Sequence, residues 1–200
     1  MFPTAEVRWF IEGPVPPEAK RWFEAAAGTP RLEERTDRYV CPASPDGLGV
    51  KWREGKLEVK RLREIVGPAR FHPRVAGRVE AWRKWSFPLT DAAELAEPAG
   101  DWIEVEKRRR VRYFSAAPGE EIRPLEDGER TAHACGLELG EVQVGEAVWW
   151  SVCLEAFGDD EAALPERLRR VAEHVTSEAD PPDLPPGAAL SYPAWLLRCV

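Results

Sequence analysis

The sequence has no long apolar run, and none of its 200 residues belongs to a stretch near the roughly 18 residues that span a bilayer. Residues Met1 to Glu6 lack the basic and apolar regions of a secretory signal. The four cysteines show no C-x-x-C spacing, which argues against a zinc site and against a disulfide framework. We therefore expect a cytoplasmic protein with reduced thiols and no membrane partner.

Motifs for nucleophilic catalysis are also missing. The three histidines, His72, His133 and His174, fall in a predicted loop, near a strand start and on a helix, so their spacing indicates no Cys-His or Ser-His-Asp site. There is no glycine-rich phosphate loop, and Gly47-Leu48-Gly49 is more typical of a turn. Phosphate chemistry, if present, therefore needs side chains rather than a backbone loop.

Lysine is absent from residues 113–200, and the charge is segregated along the chain. Residues 1–112 carry a net charge of +4 and residues 113–200 carry −11, within a total of −7. An acidic chain with this division is a poor candidate for bulk nucleic-acid binding. It fits a site where basic and acidic groups from different segments meet.

Alternating polar and apolar residues predict mainly strands. In the first strand, Ala5, Val7 and Trp9 share one face, while Glu6 and Arg8 share the other. The predicted strands cover 4–12, 35–41, 48–53, 56–63, 78–87, 101–114, 131–144 and 147–157. Residues 64–75 and 118–129 are expected to be loops, and helices are predicted at about 16–27, 90–97 and 159–175.

Short connections and the lack of β-α-β alternation favour an antiparallel sheet over a parallel one. We predict an α+β fold: an eight-stranded antiparallel β-barrel, tunnel-like, with about three flanking helices. Residues 1–200 are expected to form one domain, and the proline-rich tail 181–200 is expected to dock on it. In such a barrel, apolar residues face outward under helices and charged residues line the lumen.

The charged positions of these strands suggest a family. The first strand reads Glu6-Val7-Arg8, the second contains Asp37-Arg38-Tyr39, and the third and fourth contain Lys51-Trp52-Arg53 and Val59-Lys60-Arg61. The sixth contains Lys107-Arg108-Arg109. Over residues of about 4–176, this order resembles the CYTH superfamily, also called the triphosphate tunnel metalloenzymes, whose barrel opens with Glu-x-Glu-x-Lys.

Three positions depart from that pattern. Arg8 stands where the family has its second Glu, Phe10 stands in place of its Lys, and Cys153 occupies a position that is often acidic. The resemblance therefore indicates a divergent member with a degenerate opening motif. The segment Ser191-Tyr192-Pro193 lies in a tail that is not part of the general family pattern.

The resemblance implies an anionic, phosphate-bearing small molecule as ligand, with Mg²⁺-dependent hydrolysis of a phosphoanhydride as the expected chemistry. Glu6, Glu138 and Glu155 are the expected metal ligands, and Glu6 and Glu155 also the expected catalytic residues. The basic residues, which alternate along the strands and suit phosphate oxygens, are Arg8, Lys51, Arg53, Lys60, Lys107 and Arg109.

Two alternatives remain open from the sequence. The same barrel fits a non-catalytic binding or interaction protein whose lumen is filled by internal ion pairs. A barrel with an apolar cavity would instead require the charged faces to point to solvent, because a two-residue period does not say which face is inside. The natural ligand and the oligomeric state are not determined by the sequence.

Overall fold

The computed structural model describes residues 2–42, 44, 47–88 and 102–199, and there the chain forms a closed antiparallel barrel with three helices. The elements are β1 (Phe2–Glu12), α1 (Pro17–Ala25), β2 (Arg31–Val40), β3 (Leu48–Arg53), β4 (Lys56–His72), β5 (Val75–Pro88), β6 (Trp102–Ser115), the two-residue β7 (Arg123–Pro124), β8 (Ala134–Val144), β9 (Ala147–Phe157), α2 (Leu164–Glu178) and α3 (Tyr192–Cys199).

Eight strands close the barrel in the order β2-β3-β4-β5-β1-β9-β8-β6, and β6 pairs back to β2. The closing contact runs the length of β2, from Arg31 opposite Val111 to Val40 opposite Trp102. The predicted α+β fold class with an eight-stranded antiparallel barrel is therefore confirmed. The short β7 pairs only with the last two residues of β6, Phe114 and Ser115.

The prediction of a loop over residues 64–75 is wrong, because β4 continues to His72 and pairs with β5 almost to the turn. Pro68 and three register shifts along this pairing interrupt the alternation that a strand assignment requires. The helix predicted at 90–97 lies outside the described residues. The third described helix is α3, inside the tail.

Helices α1 and α2 pack on the outside of the barrel. The outward faces of β1, β8 and β9 carry apolar side chains such as Val7, Leu137 and Leu154, which are almost completely buried. Trp22 and Phe23 of α1 join this core, and so do Leu164, Leu168, Val171 and Val175 of α2. The indole of Trp22 donates to the carbonyl of Val175, 3.0 Å away. This side of the barrel follows the predicted arrangement of apolar residues outward and charged residues inward.

The tail runs beside β1, where β5 no longer pairs with it. The amide of Leu184 donates to the carbonyl of Arg74 (2.8 Å), and the amide of Leu190 donates to that of Arg8 (2.8 Å). Helix α3 then brings Trp195 and Leu196 against inward-facing residues near the strand ends; these are Phe10, Tyr39, Ile103, Val105 and Val142. The tail therefore closes one end of the lumen.

Candidate functional site

The lumen holds a cavity of about 270 Å³ that every strand of the closed barrel helps to line. All the site residues predicted from the sequence line it: Glu6, Arg8, Lys51, Arg53, Lys60, Lys107, Arg109, Glu138 and Glu155. The alternation of each strand brings them inward together, and the opposite face of β6, with Glu104, Glu106 and Arg108, is exposed. The alternative of a barrel with an apolar cavity and solvent-facing charges is therefore excluded.

Among the residues that the structure describes, eight basic and four acidic side chains line this cavity. The basic ones include Arg35 and Lys84, and the acidic ones include Glu58, none of which was among the predicted site residues. Their positions follow the same parity as Tyr39, Lys60 and Trp82 on their own strands, so the signal was present in the sequence. The sequence did not show which charged side chains from different strands become neighbours inside the barrel.

Asp37 is completely buried and receives three cations. The ammonium groups of Lys51 and Lys107 lie 3.0 and 2.7 Å from its Oδ2, and the Nε of Arg35 lies 3.3 Å from its Oδ1. Burial alone disfavours a charged carboxyl, but these cations outweigh that effect and hold the pKa of Asp37 well below its usual range. Arg35 also contacts Glu33 and Lys51 also contacts Glu58, so Asp37 belongs to a larger network of ion pairs in the lumen.

Lys107 lies among aromatic rings as well as charges. Its ammonium donates to the hydroxyl of Tyr39 (2.6 Å) and lies 4.1 Å from the ring centroid of Tyr192. The Tyr39 and Tyr192 rings stack with centroids 5.2 Å apart. Burial, reinforced by the charge of Lys51, lowers the pKa of Lys107. Helix α3 therefore supplies an aromatic wall to the cationic part of the cavity.

Glu138 is held between two guanidinium groups. Arg8 donates to its Oε1 and Arg109 to its Oε2, both at 2.6 Å. Burial alone disfavours ionisation, but these two cations hold the pKa of Glu138 well below its usual range. Arg109 also donates to Glu33 with two nitrogens, at 2.9 and 2.7 Å. Both carboxylate oxygens of Glu138 are thus already bonded within the protein.

Glu6 and Glu155 face each other across β1 and β9. Both accept hydrogen bonds from the ammonium of Lys60, which reaches them from β4 and lies 3.2 Å from Glu155 Oε1. Burial disfavours ionisation of Glu155, but Lys60 and then Arg8 outweigh it, so the pKa of Glu155 is lowered. The two predicted catalytic carboxylates are brought together, with a lysine between them.

These contacts leave the three predicted metal ligands in two separate groups. Glu138 is engaged by arginines, while Glu6 and Glu155 share Lys60. Across the described ranges, no cluster of three His, Cys, Asp or Glu side chains has the arrangement of a metal site. Hard cations such as Mg²⁺ bind carboxylate oxygens, and here both oxygens of Glu138 and one oxygen each of Glu6 and Glu155 are bonded to protein cations, so the residues as arranged do not fit the ion. Mg²⁺ binding stays a prediction from the resemblance.

Three comparisons with known proteins do not place the chain in a family. No family model matches it. It is similar to a 3-deoxy-manno-octulosonate cytidylyltransferase of Polynucleobacter necessarius subsp. necessarius (strain STIR1), with 24% identity over 160 residues, which is 77% of this chain. The chain covers only 61% of that relative's length.

Among solved structures, the chain is similar to the PH1819 protein from Pyrococcus Horikoshii OT3. The match covers 98% of this chain and 99% of that one, with 13% identity and a TM-score of 0.48. Within the described ranges, no helix has the length and apolar character needed to cross a membrane.

Proposed function

We propose that this chain is a divergent CYTH-like barrel that binds a small phosphate-bearing anion in its lumen. The excess of cationic groups in the cavity carries this proposal, since eight basic side chains line it against four acidic ones. The excess persists when Asp37 and Glu33, which bond to cavity residues from the barrel wall, are counted as well. Arginine and lysine donors that converge in this way suit phosphate oxygens.

The size of the cavity supports a small ligand. A volume of about 270 Å³ lies just below the usual range of small-molecule sites, roughly 300–1,000 Å³. Within the described residues, Arg8 keeps a buried Nε without a hydrogen-bond partner. Buried donors of this kind are costly when unsatisfied, by about 1–3 kcal/mol, and an anion in the cavity is a natural acceptor for them.

The pairing of every lumen carboxylate favours a second candidate, a non-catalytic barrel held together by its own ion pairs. Asp37, Glu58 and Glu138 each contact two or more cations. In that case the charges serve the closed fold, and phosphate compounds do not bind. The cytidylyltransferase activity in the relative's name is not carried over, because the chain spans too little of that protein.

Titration calorimetry with tripolyphosphate, pyrophosphate and orthophosphate separates the two candidates. Arg53 provides the test variant, because its carboxylate contact among the described residues is a loose 3.9 Å approach to Glu54. Arg53→Gln should weaken tripolyphosphate binding about tenfold, which corresponds to about 1.4 kcal/mol, with little loss of stability. Arg83→Gln is the matched control, since the Arg83 side chain is equally exposed (27% against 26%) but pairs with Glu161 outside the barrel.

The expected result is saturable heat for the wild-type chain that is unchanged in Arg83→Gln. Absence of heat for all three phosphates, together with an unchanged melting temperature, would overturn the binding proposal and favour the ion-paired barrel. Colorimetric phosphate release, followed in the same samples, decides separately whether the bound anion is hydrolysed.

A further inference from the structure

We propose that the ammonium group of Lys60 takes the place of a divalent cation in this barrel, so that anions bind in the lumen without a metal. This inference rests on the proposed function for its anion-binding half, whereas its statement about metal ions is independent of any phosphate ligand. It concerns Lys60, Glu6 and Glu155, which meet on the inner faces of β4, β1 and β9.

Glu6 and Glu155 need a cation because of their register. They are direct neighbours on adjacent antiparallel strands, where like charges destabilise the pair. The Glu6 side chain is 6% exposed and that of Glu155 is 25% exposed, so water screens this repulsion only in part. A positive group shared by both carboxylates removes it.

Lys60 supplies that group from a strand that is not adjacent to β1. Its side chain crosses β5, where its ammonium lies 5.6 Å from the ring centroid of Trp82, and it bonds to both carboxylates. These contacts place the ammonium between the two carboxylates, where a shared cation would have to lie.

A second cation, Arg8, lies on the same inner face of β1 as Glu6. Arg8 lies opposite Cys153 on β9, one inward-facing row from Glu6 and Glu155, and its guanidinium is bonded to Glu138. A divalent ion at Glu6 and Glu155 would have to displace Lys60 and would then lie near the charge of Arg8. Lys60 thus already supplies to Glu6 and Glu155 the positive charge that a metal ion would otherwise bring.

Binding measurements on the wild-type chain test this inference first. Titration with Mn²⁺ alone should give no saturable binding, and the affinity for tripolyphosphate should change less than twofold between buffers with excess EDTA and with Mg²⁺. Stoichiometric Mn²⁺ binding by the free wild-type protein would contradict the inference. So would a tripolyphosphate affinity that requires Mg²⁺.

Lys60→Met provides the second test, because it keeps an unbranched side chain of nearly the same length and removes its charge. This variant should bind about one equivalent of Mn²⁺, seen by electron paramagnetic resonance, and Mn²⁺ should raise its melting temperature. Its tripolyphosphate affinity in EDTA should fall at least tenfold. Lys60→Arg keeps the positive charge and should gain no Mn²⁺ binding.

The double variant Lys60→Met/Glu155→Gln is the matched control, since it removes one of the two carboxylates and should lose the acquired Mn²⁺ binding. A folded Lys60→Met chain that takes up no Mn²⁺ would show that Lys60 does not occupy a cation position. Failure of tripolyphosphate to bind the wild-type chain would refute the proposed function, while the Mn²⁺ titrations would still decide the inference about Lys60. If Lys60→Met does not fold, the wild-type measurements decide it.

Discussion

The guanidinium of Arg8 lies 2.6 Å from the carboxylate of Glu138, and both side chains are buried in the lumen. The two residues are 130 positions apart in the chain, but in the barrel only strand β9 separates Arg8 on β1 from Glu138 on β8. Because Arg109 bonds to the other oxygen of Glu138, this carboxylate links the first strand to the closing strands. The stability of the barrel should therefore depend on the ion pairs of Glu138 with Arg8 and Arg109.

Replacement of Arg8 by leucine should destabilise the barrel by about 2–3 kcal/mol. Loss of one partner from a buried pair generally costs about 3–5 kcal/mol, and Arg109 retains part of the compensation for Glu138. Urea unfolding of Arg8→Leu measures the change. The control is Arg169→Leu, because Arg169 pairs with Glu166 and Glu173 on an exposed face of α2 and should change stability by less than about 1 kcal/mol. Equal effects of the two substitutions would contradict the buried pairing.

Replacement of Asp37 by asparagine should destabilise the chain by about 3–5 kcal/mol, because Arg35, Lys51 and Lys107 lose their common carboxylate. An anion in the lumen should restore part of this loss. We therefore expect tripolyphosphate to raise the melting temperature of Asp37→Asn more than that of the wild-type chain. Differential scanning fluorimetry checks the prediction, and an equal shift for both proteins would count against an anion close to this cluster.

Acid should weaken the fold through Glu58, whose carboxylate contacts Lys51 at 3.1 Å and Lys84 at 3.0 Å. Burial disfavours its ionisation, but these ammonium groups outweigh it and lower the pKa of Glu58 to about 2. A carboxyl with a lowered pKa in the folded state stabilises the fold above its unfolded pKa, and this contribution disappears as the pH falls to the folded pKa. The free energy of unfolding should therefore decrease between pH values of about 4.5 and about 2.

Thermal unfolding across that pH range measures the effect of Glu58. The variant Glu58→Gln should be less stable than the wild-type chain at pH 6, and its stability should fall less steeply in acid. The variant Glu146→Gln, in the exposed β8–β9 turn, should follow the wild-type curve. A Glu58→Gln curve parallel to the wild-type one would contradict the role given to this carboxylate.

Replacement of Trp195 by alanine should cost about 3–5 kcal/mol, the usual range for a buried aromatic side chain. Trp195 is completely buried and stacks on Phe10 with centroids 4.4 Å apart. Chemical denaturation measures the loss, and Phe2→Ala is the control because Phe2 is 64% exposed. A change below 1 kcal/mol in Trp195→Ala would mean that α3 contributes little to closing the lumen.

Gly77 on β5 should not tolerate a side chain, because a Cβ there would lie 2.7 Å from a methyl of Val7 and 3.0 Å from the Trp9 ring. We expect Gly77→Ala to destabilise the fold by about 1–3 kcal/mol, as overpacking commonly does. Gly187→Ala is the matched control, since nothing lies within 4 Å of its added Cβ. Circular dichroism melts of the two variants compare them directly, and similar melting temperatures would refute the prediction.

Strand periodicity predicted a large part of this barrel, and its failures have local causes. The alternation on β1 placed Glu6 and Arg8 on one face and Val7 on the other, and the structure has them so. The assignment failed over residues 64–75, where Pro68 and the irregular pairing of β4 obscure the alternation. Because a loop was predicted there, the β4–β5 hairpin was predicted too short, and the tail packs against the part that was missed.

The candidate site could be predicted as a set of residues but not as a set of contacts. Lys51, Lys60 and Lys107 were predicted from the family resemblance and from their alternation along the strands, and all three line the cavity. Asp37 stood in a recognised pattern, yet its role as the shared partner of three cations was not visible. That role depends on β2, β3 and β6 being neighbours, which closure of the barrel decides.

The sequence alone determined the strand content, the segregation of charge and the residues that share each strand face, because a two-residue period follows from the backbone itself. Only the tertiary structure decided that the charged faces point inward, that Lys60 lies between Glu6 and Glu155, and that α3 closes one end of the lumen. These features depend on strand order, register and closure, which join residues far apart in the chain.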